Sequence, residues 1–91
     1  MGRKRVLSQL RPGESARVRA LELSGPMRRR LRDLGMIEGT ELSCLGRSPM
    51  GDPAAYRVRG AVLALRREDS GRIEIEPRAD SGDRGRESRW D

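Results

Sequence analysis

The stretch that decides the fold is SGPMRRRLRDLGMIEGTEL, residues 24–42. It encodes a short basic helix with both ends specified, followed directly by a strand. Ser24 or Gly25 can cap the start, and Pro26 suits a first turn, where a missing N–H costs nothing. Met27, Leu31 and Leu34 recur at i, i+4 and i+7, which predicts one apolar face over about residues 26–34. Gly35 is placed for the left-handed residue that follows a helix, and Met36 can then fold back on Leu31 in a Schellman ending. Arg28, Arg29, Arg30 and Arg32 occupy the remaining faces.

On either side of this helix the chain reads as β structure. Residues 16–21 alternate small apolar and charged side chains, the pattern of a half-buried strand. Pro12-Gly13 and Glu38-Gly39 are turn signals. In residues 40–45, Leu42 and Cys44 share a face. Residues 46–53 hold two Gly and two Pro and predict a loop with Met50 near its middle, an adaptable contact or an ordinary connection. Residues 55–59 put Tyr56 and Val58 on one side, and Arg59-Gly60 is a tight-hairpin signal in which Gly60 supplies the backbone freedom. Residues 61–65 are continuously apolar, which predicts a strand buried on both faces. Residues 66–70 allow one helical turn, and residues 72–76 place Ile73 and Ile75 inward.

The expectation is a mainly β fold: a small, strongly bent barrel of about five antiparallel strands with one inserted short helix. Closing such a sheet removes exposed edges. The packed domain is expected over residues 7–77. Residues 1–6 form a basic flexible lead, and the charged segment 78–91, with Trp90, reads as a disordered tail.

Composition narrows the chemistry. The chain has 91 residues and a net charge of +6. Residues 1–35 carry ten cations against three acids, and the rest is nearly balanced. That concentration suits an acidic partner face, an anionic lipid or nucleic acid; Arg-rich composition alone accounts for the total equally well. With no His and a single cysteine, Cys44, neither a zinc centre nor an internal disulfide is expected. Cys44 lacks a base to activate it and reads as a small core residue. Glu38 with Glu41, or Glu74 with Glu76, are too few oxygens for a hard-cation site. No phosphate-binding glycine loop is present. The expectations are therefore no enzyme, no cofactor and no metal ligand set. No apolar run reaches the ~18 residues of a membrane span, and no signal-peptide core is present, so a cytoplasmic setting is expected. Nucleic-acid binding is the alternative function, disfavoured because only Tyr56 and Trp90 are aromatic.

The ordered pieces Leu10-Arg11-Pro12-Gly13-Glu14, Met27 to Leu34-Gly35-Met36, Glu38-Gly39-Thr40, Tyr56-Arg57-Val58-Arg59-Gly60, Leu63-Ala64-Leu65-Arg66 and Ile73-Glu74-Ile75 resemble the FeoA family, ferrous iron transport protein A. The resemblance covers about residues 7–77. It implies an SH3-like barrel with an inserted helix. It also implies a partner, FeoB, a membrane transporter of Fe(II) with a cytosolic GTPase domain, and membrane contact only through that partner. The expected docking surface is Arg28, Arg29 and Arg32 with Met36 and Ile37, charge steering the encounter and apolar contacts adding affinity. Gly35 and Gly60 are expected to be structural.

Overall fold

In the computed structural model, which describes residues 5–77, the chain enters through a two-residue strand, β1 (Arg5–Val6), and one 3₁₀ turn (Leu7–Gln9). Leu7 and Leu10 are both buried there. A turn at Pro12-Gly13 follows, with Gly13 at φ +91°. Its ends are tied by the Glu14 amide donating to the Arg11 carbonyl at 2.9 Å and the Arg11 amide donating to the Glu14 carboxylate at 2.8 Å. This leads into β2 (Ser15–Leu21), where Ala16 and Val18 point into the core. The helix α1 (Gly25–Asp33) comes next, then β3 (Glu41–Arg47), β4 (Ala54–Val58) and β5 (Ala61–Leu65). A one-turn helix, α2 (Arg67–Ser70), and β6 (Ile73–Pro77) complete the described chain.

The strands form one antiparallel sheet in the order β1-β6-β2-β3-β4-β5. Among the described residues the sheet has six strands, against about five expected, and its hydrogen-bonded ladder is open, with β1 and β5 as edges. Residues 5 and 6, expected in the flexible lead, belong to the sheet: Arg5 pairs with Ile75 and Val6 with Glu74. The remaining lead and the tail with Trp90 lie outside the described residues.

The period-2 pattern sets the core. Leu42, Cys44, Tyr56, Val58, Leu63, Leu65, Ile73 and Ile75 are buried from successive strands, and Leu31 of α1 closes over them. Two bulges interrupt the ladder. One falls between Val18 and Ala20 and leaves Arg19 unpaired in the register. Re-aimed in this way, Arg19 lies 3.3 Å from a Glu74 oxygen and 3.4 Å from a Glu76 oxygen. The other falls between Cys44 and Gly46 and turns Leu45 outward.

Arg47 has a structural task. Its guanidinium donates to the carbonyls of Ser8 at 2.9 Å and Leu10 at 2.7 Å, tying the entry turn to the end of β3. The loop after β3 is held by its own polar groups, Ser48 Oγ donating to the Asp52 carbonyl at 2.8 Å. Met50 stands 90% exposed at its tip.

One expectation fails in β5. Its run of apolar residues was read as buried on both faces, yet Val62 is 58% exposed and Ala64 is also exposed. The reason is that the sheet carries its core on one face: Leu63 and Leu65 point into it, while Val62 and Ala64, of opposite parity, meet water. Among the described residues no helix is long and apolar enough to cross a membrane.

Candidate functional site: the basic helix and its groove

The helix forms much as its residues dictate. Ser24 takes the cap position with extended backbone, but its side chain makes no capping hydrogen bond. Gly25 instead turns the chain, at φ +71°, and Pro26 sits in the first turn. Leu31 is fully buried and Met27 and Leu34 are half-buried against the core, which fixes the rotation of the helix. Arg28, Arg29, Arg30 and Arg32 are consequently exposed.

The far end is a complete Schellman motif. The Met36 amide donates to the Leu31 carbonyl and the Gly35 amide to the Arg32 carbonyl, each at 2.9 Å. Gly35 has φ +97°. The reversal drives Met36 into the core, where it is 0% exposed. Met36 is therefore removed from the expected docking surface: the contact with Leu31 that ends the helix also buries the side chain. Ile37, the next residue, is 50% exposed.

Two residues secure this corner in a role the sequence did not announce. The Thr40 hydroxyl donates to the Gly35 carbonyl at 2.9 Å and accepts from the Ile37 amide at 3.1 Å. The Arg59 side chain crosses Gly35 so closely that a β-carbon there would lie 2.6 Å from Arg59 Cδ. The tip of the β4–β5 hairpin thereby presses on the end of α1, and a cation at a helix C-terminus is electrostatically favourable. A Thr five residues after the helix glycine was a readable hint for the first; nothing local to Arg59 announces the second.

Gly25, Arg28, Arg29, Arg32, Asp33 and Ile37 line an open groove of about 420 Å³ along α1. Arg28, Arg29, Arg32 and Ile37 thus line one groove, with Gly25 and Asp33 as neighbours that the sequence did not point to. None of these three arginines makes an ion pair with a described residue; the ion pairs between described residues are those of Arg19 with β6. The partial positive charge of the helix N-terminus adds to the guanidiniums. Fork-shaped donors beside one exposed branched aliphatic suit carboxylates or phosphates flanking an apolar contact. Among the described residues no group of three or more His, Cys, Asp or Glu side chains could hold a metal ion.

Cys44 and Tyr56 are core residues, 1% and 0% exposed. Burial pushes the Tyr56 phenol above the usual tyrosine range, although Ser70 and Arg47 act in the opposite sense. Its buried hydroxyl nevertheless makes no hydrogen bond of good geometry.

Residues 5–77 match the FeoA domain family. A Porphyromonas gingivalis protein, the Fe(2+) transport protein A/Fe(2+) transporter FeoB fusion protein, is 34% identical over 70 residues, covering 77% of this chain. The chain spans only 8% of that relative's length. The solution structure of the Chlorobium tepidum FeoA protein superposes with a TM-score of 0.79 at 34% identity, covering 86% of this chain and 75% of that one. The crystal structure of Stenotrophomonas maltophilia FeoA with zinc, an SH3 domain protein, gives a TM-score of 0.69 at 30% identity, covering 79% and 89%.

Proposed function

The chain belongs to the FeoA family, and from that premise we propose that it is a cytoplasmic, non-enzymatic accessory protein of ferrous iron transport. It docks on the cytosolic GTPase part of a FeoB-type transporter and supports or regulates iron uptake. The observation that carries this reading is the Porphyromonas gingivalis relative, in which a region like this one shares a polypeptide with the transporter. Fusion raises the effective concentration of two modules that must meet, without demanding a tight interface.

The groove along α1 supplies the contact. Arg28, Arg29 and Arg32 steer an acidic surface toward the helix, and Ile37 provides the apolar anchor. Charge at such a rim acts mainly on the association rate, so docking should weaken as salt rises.

The test is capture of the detergent-solubilised transporter by the tagged protein, with and without nuclease. Recovery that survives nuclease and falls sharply for the Arg28→Glu/Arg32→Glu variant supports the reading. Retention of the transporter by that variant at wild-type level moves docking elsewhere. A nuclease-sensitive RNA or DNA fraction as the main product replaces the transporter reading with the nucleic-acid one. GTP hydrolysis by the transporter, measured alongside, distinguishes regulation from simple attachment.

A further inference from the structure

We propose that the free edge of β5 is a second docking site, independent of the α1 groove, that takes an extended segment of another protein as an added strand. The segment has alternating β-branched apolar residues bounded by carboxylates.

The register fixes which backbone groups are available. Arg59 and Gly60 form a two-residue turn, with φ +51° and +87°, and Val58 pairs with Ala61 across it. The pair flanking such a turn exchanges both its hydrogen bonds, and the pattern then alternates along the ladder. Ala61, Leu63 and Leu65 therefore bond to β4, opposite Val58, Tyr56 and Ala54. The N–H and C=O groups of Val62 and Ala64 point the other way, toward an edge where no strand of the described residues lies.

Natural edges are commonly blunted by a charge, a proline or a bulge. The sequence AVLAL contains neither charge nor proline, and its pairing with β4 has no register shift. Val62 is 58% exposed and Ala64 is exposed.

Charge decides the occupant. Arg66 continues the extended backbone of β5, at φ −78° and ψ 155°, so Val62, Ala64 and Arg66 fall on one face by the two-residue period. Arg57 pairs directly with Val62 on that same face. Both arginines are exposed, and neither makes an ion pair with a described residue, those pairs being Arg19's. A second copy pairing antiparallel through Leu63 would set each Arg66 opposite Gly60 of its twin and offer no carboxylate to Arg57 or Arg66 of either copy. A strand with acids at its ends and branched apolar residues between them meets Val62 and Ala64 with hydrogen bonds and Arg57 and Arg66 with charge. This is strand addition to a sheet edge, in which the main chain gives affinity and alternate side chains give specificity.

The probe is the synthetic peptide acetyl-Glu-Thr-Val-Thr-Val-Thr-Glu-amide, titrated into the full chain and followed by amide NMR and hydrogen exchange. The expected result is slowed exchange at the Val62 and Ala64 amides, with Leu63, already bonded to β4, unchanged. Val62→Lys should weaken binding about tenfold by placing a charge on the edge. Ala64→Pro removes an edge donor without touching the β4 ladder and should act likewise. If Ala64→Pro fails to fold, Val62→Lys and the exchange pattern still decide. Equal binding of a peptide with Lys at both ends, protection confined to α1, or no binding at millimolar peptide overturns the proposal. So does a dimer seen in sedimentation that Val62→Lys dissolves, which would give the edge to a second copy.

Discussion

Gly35 carries the most consequence of any single residue. It is needed twice: for φ +97° and for the space that Arg59 crosses. Gly35→Ala should therefore cost about 1–3 kcal/mol through backbone strain, seen as a lower Tm in thermal unfolding. Because the steric part comes from a flexible stem, Arg59→Ala combined with Gly35→Ala should recover some of the loss; strict additivity would place the whole cost in the backbone. Tyr56 makes the opposite case. A buried hydroxyl without a well-formed hydrogen bond contributes a desolvation penalty, so Tyr56→Phe should leave Tm unchanged or raise it. The pH dependence follows from the raised phenol. Folded and unfolded chains are both protonated below pH ~10, the ordinary tyrosine value. Above it the unfolded chain loses the proton first, so stability falls as pH rises. Tyr56→Phe should flatten that alkaline decline, measured as denaturation midpoints between neutral pH and about pH 11.

Among the elements, α1 shows how far a sequence determines its own geometry. Its apolar spacing, its terminal Gly35 and the return of Met36 were all legible, because the pattern and the Schellman bonds are local. The cap was legible in position only: Ser24 makes no side-chain bond. Ser24→Ala should accordingly cost well under the ~1 kcal/mol usual for a lost cap, as chemical denaturation can measure. Leu31, wholly buried, is different, and Leu31→Ala should lose about 2–5 kcal/mol in the same assay. The burial of Met36 was implicit in the helix ending yet was read as a contact surface. One residue cannot both close a Schellman turn against the core and face a partner. The two faces of β5 were not legible, since an unbroken apolar run looks the same whether one face of its sheet is covered or both. What covers a face is a long-range property and no local window contains it.

At the scale of the whole molecule, mainly β character and the antiparallel succession with one inserted helix could be read from turn signals and alternation. The sixth strand could not, because two residues have no periodicity. What fixes those residues is distant: β6 lies beside β1, and Arg47 holds the carbonyls of Ser8 and Leu10. Arg47→Ala should therefore speed amide exchange across residues 5–10 far more than in β3 itself; uniform acceleration would mean that the guanidinium stabilises the fold globally instead. The pairing of β1 with β6 has a further meaning for construction. Because Arg5 stands opposite Ile75, the first and last strands along the described chain run side by side in opposite directions, and their outer ends meet at one corner. A few linking residues could join them, and the chain could be reopened at the exposed Met50 tip without severing a strand. Such a circularly permuted chain would keep every strand pairing. In the strand order that corner lies at the opposite side of the sheet from β5, so the new junction would leave the β5 edge untouched.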